Sequence, residues 1–412
     1  MSNVNGFSII IVISWDAALY KQPDSMREIC PLYLQNGTIG AKVAPVMTNE
    51  SPPRAWVDVD LEAIAHNLDI ARQALPDTEL MPVIKAGAYG HGLEPVARRL
   101  DAHGIAFFGV ANAGEARRLS RAGVRTKPFI LGPTFPEERE EIVLNNWCCT
   151  ISTLEEAAHF QSLAALYDKT FLVHLAVDTG MGREGFLPSQ LGAAIAPLKE
   201  MPNIVVDGVM SHFPSADEDV PYTQNEIELF TDCVQSLTPH FRLRYRHIAA
   251  SAGELAYEVP IANLARPGLL LYGVAPMASI YDGVLKPTLR LSSRVSLVRE
   301  LPVGHGVAYG RTYITQRPTR VATIGIGYAD GWPRSISGQG ARVYINGHYC
   351  PMLGRVTMDQ IMADVTDVPF VAPGDEVELI GPHVPITEVA QKAGTIVWTI
   401  FTGLGPRLPR VY

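Results

Sequence analysis

The chain has 412 residues, 47% of them hydrophobic, and a formal net charge of -8. That length allows two or three cores, and the acidic balance excludes the basic footprint that broad nucleic-acid binding needs. Five cysteines, none in a CxxC pair, exclude a disulfide framework or a zinc site and indicate a reducing, cytoplasmic setting.

Residues 1–53 read as a disordered extension. The apolar run FSIIIVIS (7–14) is too short to span a bilayer. No Lys or Arg precedes it, so the charged start of a signal peptide is missing. Periodic sequence begins at Arg54, which makes Met47 a candidate start.

Between 54 and 286, apolar runs of strand length alternate with helical pattern. The runs are LMPVIKA (80–86), IAFFGVAN (105–112), PFILGP (128–133), CCTIS (148–152), FLVHLAVD (171–178), VVDGVMSHF (205–213), RHIAAS (246–251) and GLLLYG (268–273). In LEAIAHNLDIARQAL (61–75), Leu61, Ile64, Ala65, Leu68, Ala71 and Leu75 share one helical face, and Asp60 is placed to cap it. About eight strands alternating with helices over ~250 residues is the arithmetic of a (β/α)8 TIM-type barrel. From 287 to 412 the period changes to that of strands. LRLSSRVSLVREL, RVATIGIG, ARVYING and DEVELIG are bounded by Gly, Pro and Asn, as in a mostly β C-terminal domain. The fold class is therefore α/β, a barrel followed by a β-rich domain.

Lys85, in VIKAGAYGHG (83–92), ends the first apolar run. In a barrel that places it at the mouth where active sites form. A partly buried lysine loses pKa, and its neutral amine can attack a carbonyl to give a Schiff base. A lysine snorkelling to water at a strand end is the bland alternative. Three clusters weigh against it: Tyr89 in the following turn, Ser251-Ala252-Gly253, and Arg266-Pro267-Gly268 opening another run. They offer hydroxyls and backbone N–H groups to an anion, and a phosphate near the last strands is common in barrels. Lysine, phosphate cradle and barrel together suggest pyridoxal phosphate.

These stretches closely resemble the alanine racemase family from Arg54 onward. The resemblance rests on VIKAGAYGHG, VDTGMGREGF (177–186), MSHFPSAD (210–217), HIAAS (247–251), RPGLLLYGVAP (266–276), VAYGRTY (307–313), IGIGYADGWPR (324–334) and GRVTMDQ (354–360), in the family's order. It implies that Lys85 carries the cofactor and is one of two catalytic bases. Tyr89, Ser251 and the backbone of Gly268 and Leu269 would hold the phosphate, with Arg266 facing the pyridine nitrogen. Tyr309 would be the second base, bonded to His212, with His247 behind Arg266. The resemblance further implies that Tyr309 comes from the partner subunit of a homodimer with shared active sites. Arg183, Tyr328, Met358 and Asp359 would meet the substrate carboxylate or shape its approach. The implied substrate pair is L- and D-alanine, with D-alanine going to peptidoglycan, and no metal, nucleic acid or membrane is expected.

Three departures stand out. Gly87 replaces an Asp or Asn. Ala176 replaces a lysine, often carbamylated, that partners the arginine matching Arg183, so Arg183 is expected to find another anion, chloride or Glu184. Pro406 stands where some members carry a phosphate-binding tyrosine, shifting that duty to Tyr89 and Ser251. The absent lysine and the bulky Trp332 leave a broader amino-acid or serine racemase open. A cofactor carrier built on the same barrel would lack the VAYG and MDQ stretches. A Schiff-base aldolase would need neither Arg266 nor Tyr309.

Overall fold

The computed structural model describes residues 52–275 and 283–412, so the expectations for residues 1–51, Met47 among them, fall outside it. Within Pro52–Tyr412 the chain forms one unit. Its first strand, β1 (Ala55–Val59), leads directly to a helix at Leu61–Ala74. Asp60 caps that helix, accepting from the Ala63 N–H at 2.8 Å. Ile64, Ala65, Leu68 and Ala71 are buried as their spacing predicts. The same face also buries Asn67, whose side chain donates to the carbonyls of Leu271 and Lys286 and accepts from the Lys286 N–H.

The parallel strands follow as β2 (Glu79–Leu80), β3 (Phe108–Val110), β4 (Pro128–Ile130), β5 (Cys148–Ile151), β6 (Phe171–Ala176), β7 (Ile204–Met210), β8 (Tyr245–His247) and β9 (Leu264–Ala265). Strands β3 to β8 lie side by side in chain order, and β2 pairs in parallel with β9. Single parallel bridges, Val83 to Gly109 and Ala250 to Arg266, join the two sets and close an eight-stranded ring. Helices cover its outer face while side chains fill its interior, so β3, β4 and β5 are buried along their whole length. Met81, Phe107, Phe129, Ala176, Met210 and Tyr245 form the core cluster of the ring.

One apolar run is not the strand it resembles. Leu269–Tyr272 is a 3-10 turn, ended by Gly273 at φ 76°. The eighth strand is β9, so Arg266 follows a strand instead of opening one. A short run buried on all sides carries no period that separates strand from helix. Here the run is buried partly under the first helix, where Leu271 holds Asn67.

After the barrel, β10 (Leu289–Leu301) runs antiparallel to β1 on one edge and to Glu376–Ile380 and Thr319–Ile324 elsewhere. A register shift between Val295 and Leu297 lets this long strand serve several partners. An eight-stranded sheet results, with β1 as one member, so the segment that precedes the barrel pairs with the strand that follows it.

Candidate active site

Lys85 begins a turn that few sequences can make. Ala86, Gly87, Ala88 and Tyr89 follow with φ of 53°, 65°, 55° and 51°, a full left-handed turn. For a non-glycine residue that conformation costs roughly 1–2 kcal/mol. Local bonds offset the cost: Ala88 N–H to Ile84 C=O, Gly90 N–H to Ala86 C=O and Gly92 N–H to Gly87 C=O, all between 2.7 and 3.0 Å. Glu115 adds a clamp, one carboxylate oxygen accepting from Gly87 N–H at 3.0 Å and the other from Ala111 N–H at 2.9 Å. Gly90 has no alternative residue, since a Cβ there would lie 2.2 Å from the Phe401 carbonyl oxygen.

The turn delivers Lys85 to a cavity of about 490 Å³ at the carboxyl ends of the strands. Tyr89, Arg183, His212, Ser251, Arg266, Gly268 and Leu269 line the same cavity, so the barrel brings together all the residues expected from it. Arg266 is buried and donates to the carbonyls of Ser211 and Ile248, to His247 Nδ1 at 2.6 Å and to His212 Nδ1 at 3.1 Å. Ser251 Oγ accepts from Gly268 N–H at 2.9 Å and Leu270 N–H at 3.3 Å, which welds the hydroxyl and the glycine turn into one unit. A Cβ on Gly268 would sit 3.1 Å from the Tyr89 hydroxyl, so the glycine leaves a small polar hollow between turn and phenol.

The electrostatics are cationic. Burial, then the charges of Arg183 and Arg266, hold the Lys85 amine below its usual pKa. Burial, seconded by Arg266, pushes His212 down to about 3 and keeps it neutral. His247 is lowered for the same reasons, and burial raises Tyr89 to about 12. A hollow with a hydroxyl, a glycine turn and permanently charged guanidinium groups suits a phosphorylated, electron-poor ring compound, and a lysine of lowered pKa suits its aldehyde.

Arg183 has an anion within the chain. Its Nη2 lies 2.9 Å from Glu184 Oε1 and its Nε 3.1 Å from the same oxygen. The Glu184 side chain is 6% exposed, and its other oxygen meets no hydrogen-bond partner among the described residues. Where Ala176 is short, a void remains that is lined by Arg183, Glu184, Ser211 and His212.

The remaining expected residues lie elsewhere on the chain. Tyr309 is 71% exposed and does not line the cavity. Tyr328 and Met358 are also exposed, and Ala329 N–H donates to the Met358 carbonyl. Asp359 pairs with Arg407 at 2.6 Å. The segment holding Met358 therefore packs on the Tyr328 turn, and Gly354 in the same segment approaches the Val307 carbonyl just before Tyr309. Trp332 is buried outside the cavity, and Pro406 does not line it.

Sequence reasoning missed Trp398 and Thr402, which reach the cavity from a helix at Val397–Gly403. It also missed Glu115. The NAGE spacing reads as a capping box, and Asn112 does cap its helix, but the Glu115 carboxylate is turned to the Lys85 loop.

Two family models match in tandem: the alanine racemase N-terminal domain over residues 59–276 and its C-terminal domain over 288–412. The chain belongs to the alanine racemase family. The alanine racemase of Carboxydothermus hydrogenoformans is 39% identical over 87% of this chain and 99% of its own length. That of Halothermothrix orenii is 37% identical over 87% and 96%. Among solved structures, the alanine racemase of Streptomyces lavendulae superposes with a TM-score of 0.83 at 33% identity, covering 88% of this chain and 98% of that one. The Bartonella henselae alanine racemase, solved with covalently bound pyridoxal phosphate, gives 0.80 at 31% identity over 88% and 100%. Both alanine racemase domains are thus present, which sets aside the carrier that has the barrel alone.

Proposed function

We propose that the protein interconverts L- and D-alanine with pyridoxal phosphate, with Lys85 and Tyr309 as the two bases. It is an isomerase, and the cofactor supplies the electron-withdrawing ring that makes the Cα proton removable. The observation that carries the reading is the meeting of Lys85 and Arg266 in one cavity beside the Ser251–Gly268 unit. Tyr89, Ser251 and the Gly268–Leu269 backbone would hold its phosphate. Arg266, always protonated, would face the ring nitrogen and keep it without a proton. Lys85 moves a proton at the substrate Cα from one face, helped by its lowered pKa.

A base on the other face must return the proton. Tyr309 of the partner subunit takes that role in a head-to-tail homodimer, which explains why this tyrosine stands exposed away from its own cavity. Arg266 occupies His212 Nδ1, so the proton of the neutral His212 ring sits on Nε2. That N–H donates to the phenolic oxygen and helps it hold negative charge. Arg183 meets the substrate carboxylate, and Tyr328, Met358 and Asp359 of the partner subunit shape its approach. D-alanine leaves for peptidoglycan synthesis in the cytoplasm. Among the described residues no helix is long and apolar enough to cross a membrane.

The test is racemisation of L-alanine by the purified protein with pyridoxal phosphate, beside Lys85→Ala and Tyr309→Phe. Lys85→Ala should lose both the bound cofactor and turnover. Tyr309→Phe should keep the cofactor and lose most turnover. Full activity in Lys85→Ala would remove the reading.

A further inference from the structure

Arg266 is held by a line of histidines that continues past the site into the barrel core. Its Nη1 donates to His247 Nδ1 at 2.6 Å. His247 Nε2 lies 2.7 Å from His174 Nδ1. His174 sits on β6, fully buried, where Phe129, Tyr245 and Phe107 surround its ring. The strand makes room for it on purpose-built terms. The β6–β7 register shifts between Val173 and His174, and Gly208 opposite could not carry a Cβ, which would fall 2.7 Å from the ring.

The direction of every bond in this line follows from one fact. A guanidinium only donates, so His247 Nδ1 must accept and His247 must carry its single proton on Nε2. That N–H then donates to His174 Nδ1, which must be an acceptor too. The proton of His174 is left on Nε2, which finds no partner among the described residues. A purely structural core position would favour an aromatic hydrocarbon over a histidine with a stranded N–H. The lone pair of Nδ1 is what a hydrocarbon lacks.

We infer that His174 is a positioning residue for the reaction: its Nδ1 lone pair holds His247 in the Nε2–H tautomer, which keeps the His247 Nδ1 lone pair available to Arg266 and so fixes the guanidinium at the cofactor wall. Without that acceptor, His247 is free to take the other tautomer, whose Nδ1–H opposes the Arg266 N–H. The guanidinium must then turn or shift. His174 touches neither substrate nor cofactor and acts through two intermediates. The inference rests on the proposed placement of Arg266 at the ring nitrogen.

The experiment is nitrogen-15 NMR of histidine-labelled protein without cofactor at neutral pH. His174 and His247 signals are assigned from His174→Asn and His247→Asn. The expected result is that both rings are neutral, with Nδ1 bare and Nε2 protonated. An imidazolium, or a protonated Nδ1 at either ring, overturns the inference. The second arm compares His174→Phe with His174→Asn, whose Oδ1 can stand in for Nδ1. In the phenylalanine variant the His247 tautomer should become mixed, the absorbance of the bound cofactor should shift, and kcat should fall at least tenfold with KM within twofold. The asparagine variant should restore much of each. A phenylalanine variant that folds with an unchanged His247 tautomer and unchanged kcat also overturns it. Failure of the underlying placement looks different, because the absorbance of the bound cofactor would then be unmoved in Arg266→Lys while the tautomers of the unmutated protein stayed as expected.

Discussion

Glu184 bears on a problem that Ala176 creates. With no lysine at 176, the Arg183 guanidinium at the cavity edge takes another anion, and Glu184 supplies it from the next residue. Arg183 is 46% exposed, so solvent screening leaves this pair worth no more than about 1 kcal/mol of stability. Its value lies in aim. Glu184→Gln should leave thermal stability nearly unchanged and raise KM for alanine by roughly fivefold, as expected when uniform substrate binding is lost. Steady-state kinetics with and without added chloride would check this. Partial rescue by chloride would show the anion requirement itself, and an unchanged KM would count against the pair. Positive φ angles mark two other positions. Ala308, next to Tyr309, sits at φ 59° and ψ -171°, a region that suits glycine and costs other residues about 1–3 kcal/mol. Ala308→Gly should therefore stabilise the fold, as read by urea denaturation, and lower kcat by loosening the tyrosine. At Gly87, φ is 65° with open space around the missing Cβ. Gly87→Ala should cost about 1 kcal/mol from backbone alone, and Gly87→Asn less, because asparagine tolerates this conformation.

Four histidines, on the strands, just beyond one of them or in the lysine turn, are buried in the fold or set against the site, and this has a consequence for acid stability. Burial holds His91 at about 4 and His174 and His212 at about 3, with His247 also well below its ordinary value. A histidine with a lowered folded pKa binds fewer protons folded than unfolded. Its contribution is complete above about 6.5 and is lost as pH falls toward the folded value. From pH 6.5 to 5 His91, His174 and His212 each lose on the order of 1–2 kcal/mol. Glu226, which burial pushes up to about 7, runs the other way and regains some stability over the same interval. Several such rings act in the same direction against one carboxyl, so the net effect is a loss of stability as the pH falls. The urea midpoint should fall steeply between pH 6.5 and 5, and a flat midpoint would refute neutral burial. The elements themselves were largely legible in the sequence. Alternation of apolar runs and helical faces gave the barrel, and Asp60 marked the first helix start. GLLLYG misled because a run buried on all sides has no period, and β9 escaped notice because two residues are too few to register. Lys85, Ser251 and Arg266 could be read from strand ends and glycine turns. Trp398 and Thr402 could not, since no local pattern tells a helix near the C-terminus that it will face a barrel mouth.

At the scale of the whole molecule, the exposed Tyr309, Tyr328 and Met358 and the cavity around Lys85 are proposed as two halves of one site on different subunits. Co-expression of Lys85→Ala with Tyr309→Phe tests this. If subunits mix freely, half the dimers are hybrids, and in each hybrid one site receives both intact residues, so about a quarter of the unmutated activity should return. Activity no higher than the sum of the two variants, despite proven mixing, would mean that each chain works alone.

The arginine near the end of the chain closes the turn near its beginning. Arg410 donates to the Gly90 carbonyl, 320 residues earlier, while its other nitrogens hold Leu404, Gly405 and Leu408. On a ribosome adding roughly 5–20 residues per second, that partner arrives some tens of seconds after the lysine turn has emerged. Through that interval the left-handed turn lacks its outer brace. On the proposed reading, loading of the cofactor onto Lys85 is therefore expected to follow synthesis of the segment that carries Arg410, so that the order of synthesis is also the order in which the site matures.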